Sequence, residues 1–437
     1  MSSSSFPAVR KGGSVTDLRE SNLSLVLQTL STFGALSRAE IAEHCGLGVT
    51  ALTSLVHELT ARRLVVESSE LVRPAIGRPT SLLEMDTSHW SVVGILCDRE
   101  QISIATGGLD GVVVSITRYP VPAGSVLGFD SYRPFLVRAV ADALMQSHGR
   151  GRTVAAVEVA VPGAVNRDSG EVVRSILNGW SRVALRGEIQ HMFTALSQDP
   201  GCKPSRVVPV LVGVDRETNY SMLTQVYGGK RSLSGRNLAY LGGRNALSGG
   251  LYSRSAIEHG AAGLAGEFGH LVVDPEGSKC WCGRRGCVET RLGLAHLYSV
   301  CTGLPETDSF SRLGSAHQSM LNELLSGAKE QDQRYLLPLK EAGRWLGIAI
   351  DTIAAVVNPD EFVVDGYLAC LQEYLEPGAR VQLDALSALP SLSGLRIKFG
   401  SGDEDGSLRG AVLAARDALI RHPAAATRPK RLSGKIL

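Results

Sequence analysis

His270, Cys280, Cys282 and Cys287 are spaced ten, two and five residues apart in a glycine-rich segment, "GEFGHLVVDPEGSKCWCGRRGCVE". Imidazole and thiolates are the ligands zinc prefers, and four of them close a tetrahedral shell. Gly283 and Gly286 let the chain turn between the last cysteines, and Pro275, Gly277 and Ser278 form the loop that brings His270 back. A closed shell of three cysteines and one histidine leaves no position for water, so the spacing predicts one structural zinc ion per chain. The alternative is three buried cysteines without metal. Three within eight residues on a polar, arginine-containing loop argue against it. The other five cysteines (Cys45, Cys97, Cys202, Cys301 and Cys370) are scattered. That distribution favours metal over a secreted disulfide framework.

Glu267 and Glu289 each lie within three residues of a proposed ligand. Carboxylates held rigidly in a cleft accept hydrogen bonds from vicinal hydroxyls, which is how sugars are gripped. His270 can bind metal through one ring nitrogen and offer the other to the same hydroxyls. Solvent-facing charge is the plainer role for both glutamates.

The elements that must position these groups follow from periodicity. Residues 1–14 are rich in serine and glycine, the composition of a disordered tail. Over 15–86, "NLSLVLQTLSTFG", "SRAEIAEHCGLG" and "VTALTSLVHELTARR" carry apolar residues at helical spacing, and Ser37 with Glu40 three residues later forms a capping box. Two short extended runs follow. Three helices and a hairpin in this order predict a winged helix-turn-helix. In that reading Thr50, Thr53, Ser54 and His57 face outward near base edges. Ser37 and Arg38 also contact DNA, Arg62 and Arg63 lie where phosphates pass, and Arg78, in "IGRPT", enters the minor groove. A small helical bundle with no nucleic-acid role fits the same pattern. Charge does not decide between them: over residues 1–90, eight Lys and Arg face nine Asp and Glu.

From Trp90 onward strands and helices alternate, which predicts α/β architecture in two lobes. The first lobe spans 87–208 and is completed by about 400–422. The second spans 209–399 and carries the cysteine loop, and 423–437 is a basic tail. No internal repeat is evident. Length supports several domains, since 437 residues exceed one ordinary core. Hydrophobic residues make up 44% and charged residues 20% of the chain, with a formal net charge of +2. Any nucleic-acid binding must therefore come from local placement of charge. No apolar run is long enough to span a bilayer and the N-terminus lacks a signal-peptide core, so no membrane contact and a cytoplasmic location are expected.

"AAGLAGEFGHLVVDPEG…CWCGRRGCVE" resembles the zinc and sugar signature of the ROK family (repressors, open reading frames and sugar kinases). "SRAEIAEHCGL", the "GRP" after the wing, "VAVPGAV" at 159–165, "NGW" at 178–180 and "NPDEFVVDG" extend the resemblance over nearly the whole chain. It implies an actin-like, ribonuclease-H-like fold. It also implies sugar contacts at Asn178, Glu267, His270 and Glu289, and zinc at His270, Cys280, Cys282 and Cys287. The helix-turn-helix is what distinguishes the family's regulators from its kinases.

Three kinase elements depart from the family pattern together. The first phosphate loop, D-x-G-x-T in family kinases, reads "GILCDREQI", with Leu96, Asp98 and Glu100 at its key positions. The second, G-T-G-x-G-x-G, reads "RNALSGG" at 244–250. The catalytic segment E-N-D-A-N reads "DRETN" at 215–219, which puts Glu217 on the catalytic Asp position and Arg216 on the neighbouring Asn. Two carboxylates in a phosphate loop repel phosphate, and the longer Glu displaces the base. The expectation is a regulator without kinase activity. It binds an operator as a homodimer or tetramer and responds to a sugar or sugar phosphate held near Asn178, Glu217, Glu267, His270 and Glu289. A kinase with an appended DNA head, or a zinc-stapled DNA-binding scaffold without sugar response, are the alternatives. Arg216 is expected to pair with Asp215 or Glu217, or else to meet an anionic ligand.

Overall fold

Along Trp90–Cys97 the side chains point alternately to two cores. Val92 and Leu96 join one, and Val93, Ile95 and Cys97 the other. A strand buried on both faces belongs in the middle of a sheet covered by helices on each side. The computed structural model describes residues 15–72, 80–122, 128–198, 210–227, 236–307, 316–386 and 395–426. Arg78 and most of the basic tail lie outside them.

The chain begins with helices α1 (Val15–Phe33), α2 (Arg38–Cys45) and α3 (Val49–Ala61) and the strands β1 (Val65–Val72) and β2 (Thr80–Met85), which pair antiparallel. The capping box forms as expected. Ser37 Oγ accepts from the Glu40 N–H at 3.3 Å, and the Ser37 N–H donates to Glu40 Oε2 at 2.7 Å.

The first lobe holds β3 (Trp90–Cys97), β4 (Gln101–Gly107), β5 (Val113–Pro120), α4 (Phe129–Gly149) and β6 (Thr153–Val161). A hairpin sheet follows, made of β7 (Ala164–Asn166), β8 (Glu171–Ser175) and β9 (Trp180–Val183), and then α5 (Leu185–Gln198), β10 (Leu211–Arg216) and α6 (Glu217–Tyr227). The second lobe holds β11 (Leu238–Gly242), β12 (Ser248–Ser253) and β13 (Ala256–Ile257), then α7 (Glu289–Leu292), α8 (Leu294–Thr302), α9 (His317–Lys329) and α10 (Gln333–Val357). It closes with β14 (Glu361–Val364), α11 (Tyr367–Cys370), α12 (Gln372–Leu386) and β15 (Arg396–Phe399), before α13 (Gly406–Arg421) returns to the first lobe.

The sheet orders are β10-β6-β3-β4-β5 and β13-β12-β11-β14-β15. Each is an antiparallel meander extended on its first strand by two parallel strands, so the two lobes repeat one topology. This is the actin-like duplication, and it is a repeat of fold that the sequence does not display. One boundary shifts: Leu211–Arg216, expected to open the second lobe, pairs parallel with β6 and completes the first sheet. Among the described residues no helix is long and apolar enough to cross a membrane.

The head shares its core with the body. Leu23, Val26, Leu27 and Leu30 of α1 belong to the same buried cluster as Leu408, Val412 and Leu419 of α13 and Tyr220 and Leu223 of α6. Gly410 permits the close approach of α13 to α6, because a Cβ there would collide with the Tyr220 carbonyl.

Candidate functional site: a metal-stapled cleft

The cysteine loop is built by local pairing. Val288 N–H donates to the Leu271 carbonyl and Val273 N–H to the Gly286 carbonyl, each at 2.9 Å, and this ladder lays His270 beside Cys287. Gly286 has φ 63°, and a Cβ there would run into the Asp274 carbonyl. The four candidate ligand atoms lie within 4.8 Å of one another. Cys282 Sγ is 3.7 Å from Cys287 Sγ, and Cys280 Sγ is 3.7 Å from His270 Nδ1. A tetrahedral site with metal–sulfur bonds of about 2.3 Å has edges of about 3.8 Å, so the residues present fit a metal ion. Burial holds the His270 imidazole below its ordinary value, which favours the neutral form a ligand needs.

The loop forms one wall of a cavity of about 650 Å³ between the lobes. Glu217, Glu267 and His270 line it. Asn178 and Glu289 do not appear in its lining. Asn178 is buried in the turn after β8, where its amide donates to the Cys97 carbonyl at 2.9 Å and its Oδ1 has no partner among the described residues. Glu289 Oε2 accepts the Leu247 N–H at 2.7 Å, and burial pushes this carboxyl up to about 8.

Arg216 corrects its expected pairing. Its guanidinium meets neither the Asp215 nor the Glu217 carboxylate but bonds Glu267 Oε1 at 2.7 Å, with the Asn219 side chain and the Ala265 carbonyl as further acceptors. Asp215 instead takes His259 Nε2 and Asn219 Nδ2, at 2.7 and 2.8 Å. The side chain that most clearly departs from the family pattern therefore occupies a carboxylate expected to grip sugar.

Glu217, the first residue of α6, lines both this cavity and a smaller one of about 110 Å³. Burial pushes its carboxyl up to about 7, with the Asp98 charge adding to the rise and Arg244 opposing it. The smaller cavity is walled by Asp365, Asp403 and Glu404. Asp98 and Arg244, from the two segments that match the family's phosphate loops, form an ion pair at 2.7 Å that ties the lobes together.

In the head, Thr50, Thr53, Ser54 and His57 lie on the exposed face of α3. Ser54 Oγ accepts from Arg19, Arg38 pairs with Glu67, and Arg63 is exposed with φ 59°. Arg62 is turned away from the expected phosphate position. Its guanidinium bonds Glu58 Oε1 at 2.7 Å and the Pro423 carbonyl at 3.0 Å, and its own carbonyl accepts the Trp90 indole N–H. It is a joint between head and body. His259, Asn219, Arg174 and Trp281, which belong to the cleft or its support, were not singled out in the sequence. Trp281 stands between the ligands Cys280 and Cys282 and Asn219 closes the "DRETN" segment, while His259 and Arg174 sit on segments whose spacing carries no metal or catalytic pattern.

Comparisons with known proteins agree with this architecture. The chain is 23% identical over 418 residues to the xylose repressor of Caldicellulosiruptor bescii, covering 94% of this chain and 99% of that protein. It is 26% identical over 236 residues to a glucokinase of Halalkalibacterium halodurans, covering 52% of this chain and 67% of that enzyme. The crystal structure of a ROK family transcriptional regulator, a homologue of the E. coli Mlc protein, superposes with a TM-score of 0.75 at 21% identity, covering 94% of this chain and 99% of that one. Residues 243–418 match the model of the ROK family, and the duplicated fold, the stapled cleft and the helical head agree with that match.

Proposed function

We propose that the protein is a DNA-binding transcriptional regulator, a repressor of carbohydrate genes, whose cleft senses a sugar or sugar phosphate. The observation that carries this reading is the continuous core joining the head to α13 and α6, since α6 begins at Glu217 in the cleft wall. A ligand that draws the lobes together acts on a helix packed against the support of the DNA reader. A hundredfold preference for one lobe arrangement supplies about 2.7 kcal/mol, enough to release a moderately tight operator.

Zinc is the ion that suits three thiolates and an imidazole, and in this scheme its role is to hold the cleft wall in shape. Thr50, Thr53, Ser54 and His57 read base edges, and Ser37, Arg38 and Arg63 meet phosphates. Arg78 enters the minor groove, while Arg62 holds the head on the body. A homodimer presents two copies of α3 to a palindromic operator.

Absence of kinase activity belongs to the same proposal. The Asp98–Arg244 pair occupies the matching phosphate loops, and the acidic walls of the 110 Å³ cavity disfavour a triphosphate. One observation favours the kinase reading: a carboxyl near neutrality at Glu217 suits a general base. The deciding experiment pairs genome-wide DNA occupancy of the protein with an ADP-release assay over a hexose panel. Discrete palindromic sites and no ADP release support the regulator. ADP release abolished by Glu217→Ala overturns it.

A further inference from the structure

We propose that the cleft takes a disaccharide rather than a single sugar ring, with the second ring seated against Trp281. The proposal rests on the sensor reading above and names the class of ligand.

A single hexose fills about 200 Å³, less than the roughly 300–1,000 Å³ common for small-ligand clefts. The cavity of about 650 Å³ leaves room for at least one more ring. Its lining is chemically mixed. Glu217, Glu267 and His270 supply the polar part. Trp281, Ile176 and Leu264 supply an apolar part that is left 40%, 41% and 48% exposed.

Large apolar side chains that line one cavity and are left wet offer surface that an apolar ligand face can cover. The C–H faces of a pyranose match that surface, and an indole gives it a flat platform. Trp281 is held in place: its ring meets the His270 ring edge-on, with centroids 4.4 Å apart. Arg174 and Arg284 line the same cavity, so the cleft also holds N–H donors for the hydroxyls at a ring's rim. A cleft meant for one ring needs neither the extra volume nor this second set of contacts.

The test is calorimetry of the full-length, zinc-loaded protein against maltose, cellobiose, lactose and sucrose and against glucose, galactose, fructose and xylose. The proposal predicts that at least one disaccharide binds about tenfold or more tightly than either of its component sugars. Trp281→Ala should bring that ratio to about one, and Trp281→Phe should keep most of it. Leu264→Ala, outside the cysteine loop, should lower the ratio severalfold, which keeps the test valid if Trp281→Ala loosens the loop. Monosaccharides binding as tightly as every disaccharide, or a ratio unmoved by both alanine variants, overturns this inference alone. Binding of none of these sugars, nor of glucose 6-phosphate and fructose 6-phosphate added to the panel, overturns the sensor reading together with it.

Discussion

Arg216 and Glu267, 51 positions apart in sequence, form an ion pair at 2.7 Å in the wall of the cleft, with the arginine 2% and the glutamate 27% exposed. A hydroxyl that seeks Glu267 must therefore compete with a guanidinium already in place. Replacing Arg216 with asparagine removes the competitor and leaves Asn219 and the Ala265 carbonyl without their donor. Because Glu267 keeps access to water, the cost falls below that of breaking a fully buried pair, at about 1–3 kcal/mol. Arg216→Asn is expected to melt earlier and to bind neutral sugars more tightly. Calorimetry and thermal melts check both, and unchanged values in each contradict this role.

The cysteine loop gives a prediction about metal. Purified protein should contain about one zinc ion per chain. Cys287→Ser should lose it and expose the 271–288 ladder to protease, since the ladder places His270 beside that sulfur. Elemental analysis and limited proteolysis are the readouts. Full occupancy in the variant contradicts the assignment of Cys287.

Glu217 makes stability depend on pH. Its folded-state value of about 7 lies above the ordinary carboxylate value of 4.5, with burial as the main cause. The folded form thus favours the proton. This contribution is fully present below about pH 4.5 and is lost as pH rises through about 7. Glu217→Gln keeps the neutral form at every pH. It should match the wild type near pH 4.5 and exceed it at pH 8 by about 2–3 kcal/mol. Denaturant melts at the two pH values check the sign, and a larger gain at the lower pH contradicts it.

The lobe-to-lobe tie is testable by a double-mutant cycle. Arg244→Ala leaves the buried Asp98 carboxylate without its cation and should cost about 2–4 kcal/mol. Asp98→Asn with Arg244→Ala should recover part of that loss. Additive single costs contradict a direct coupling.

In the head, His57→Ala and Arg62→Ala should separate cleanly. The exposed His57 should affect operator affinity and leave the melting temperature unchanged. Arg62, which bridges Glu58 and the Pro423 carbonyl, should lower the melting temperature and weaken the ligand response. Its loss should leave the salt dependence of DNA binding unchanged, because it neutralises no phosphate.

Local features were the legible ones. The metal set and the Ser37–Glu40 box each lie within a short window, where spacing nearly determines geometry. Helix α3 was marked by plain periodicity. Long-range choices were not legible. Arg216 has a carboxylate on each side in sequence, yet it ends β10 and its guanidinium reaches a loop 51 residues on. The strand Leu211–Arg216 shows no preference for either lobe until its parallel pairing with β6 is known. Helix α12 contains Pro377 and Gly378, a pair that signals a turn. It is helical because Gly378 and Gly343 let α12 and α10 pack almost backbone to backbone. The duplicated topology is invisible for a related reason: strand order is a property of pairing, and the two lobes reach it with different residues.

The most direct measurement of the central claim is fluorescence anisotropy of an operator recovered from genome-wide occupancy, titrated with zinc-loaded protein with and without saturating carbohydrate. The account predicts that at least one sugar, sugar phosphate or disaccharide shifts the operator Kd by about tenfold or more. An operator affinity that stays constant across the whole carbohydrate panel would contradict it.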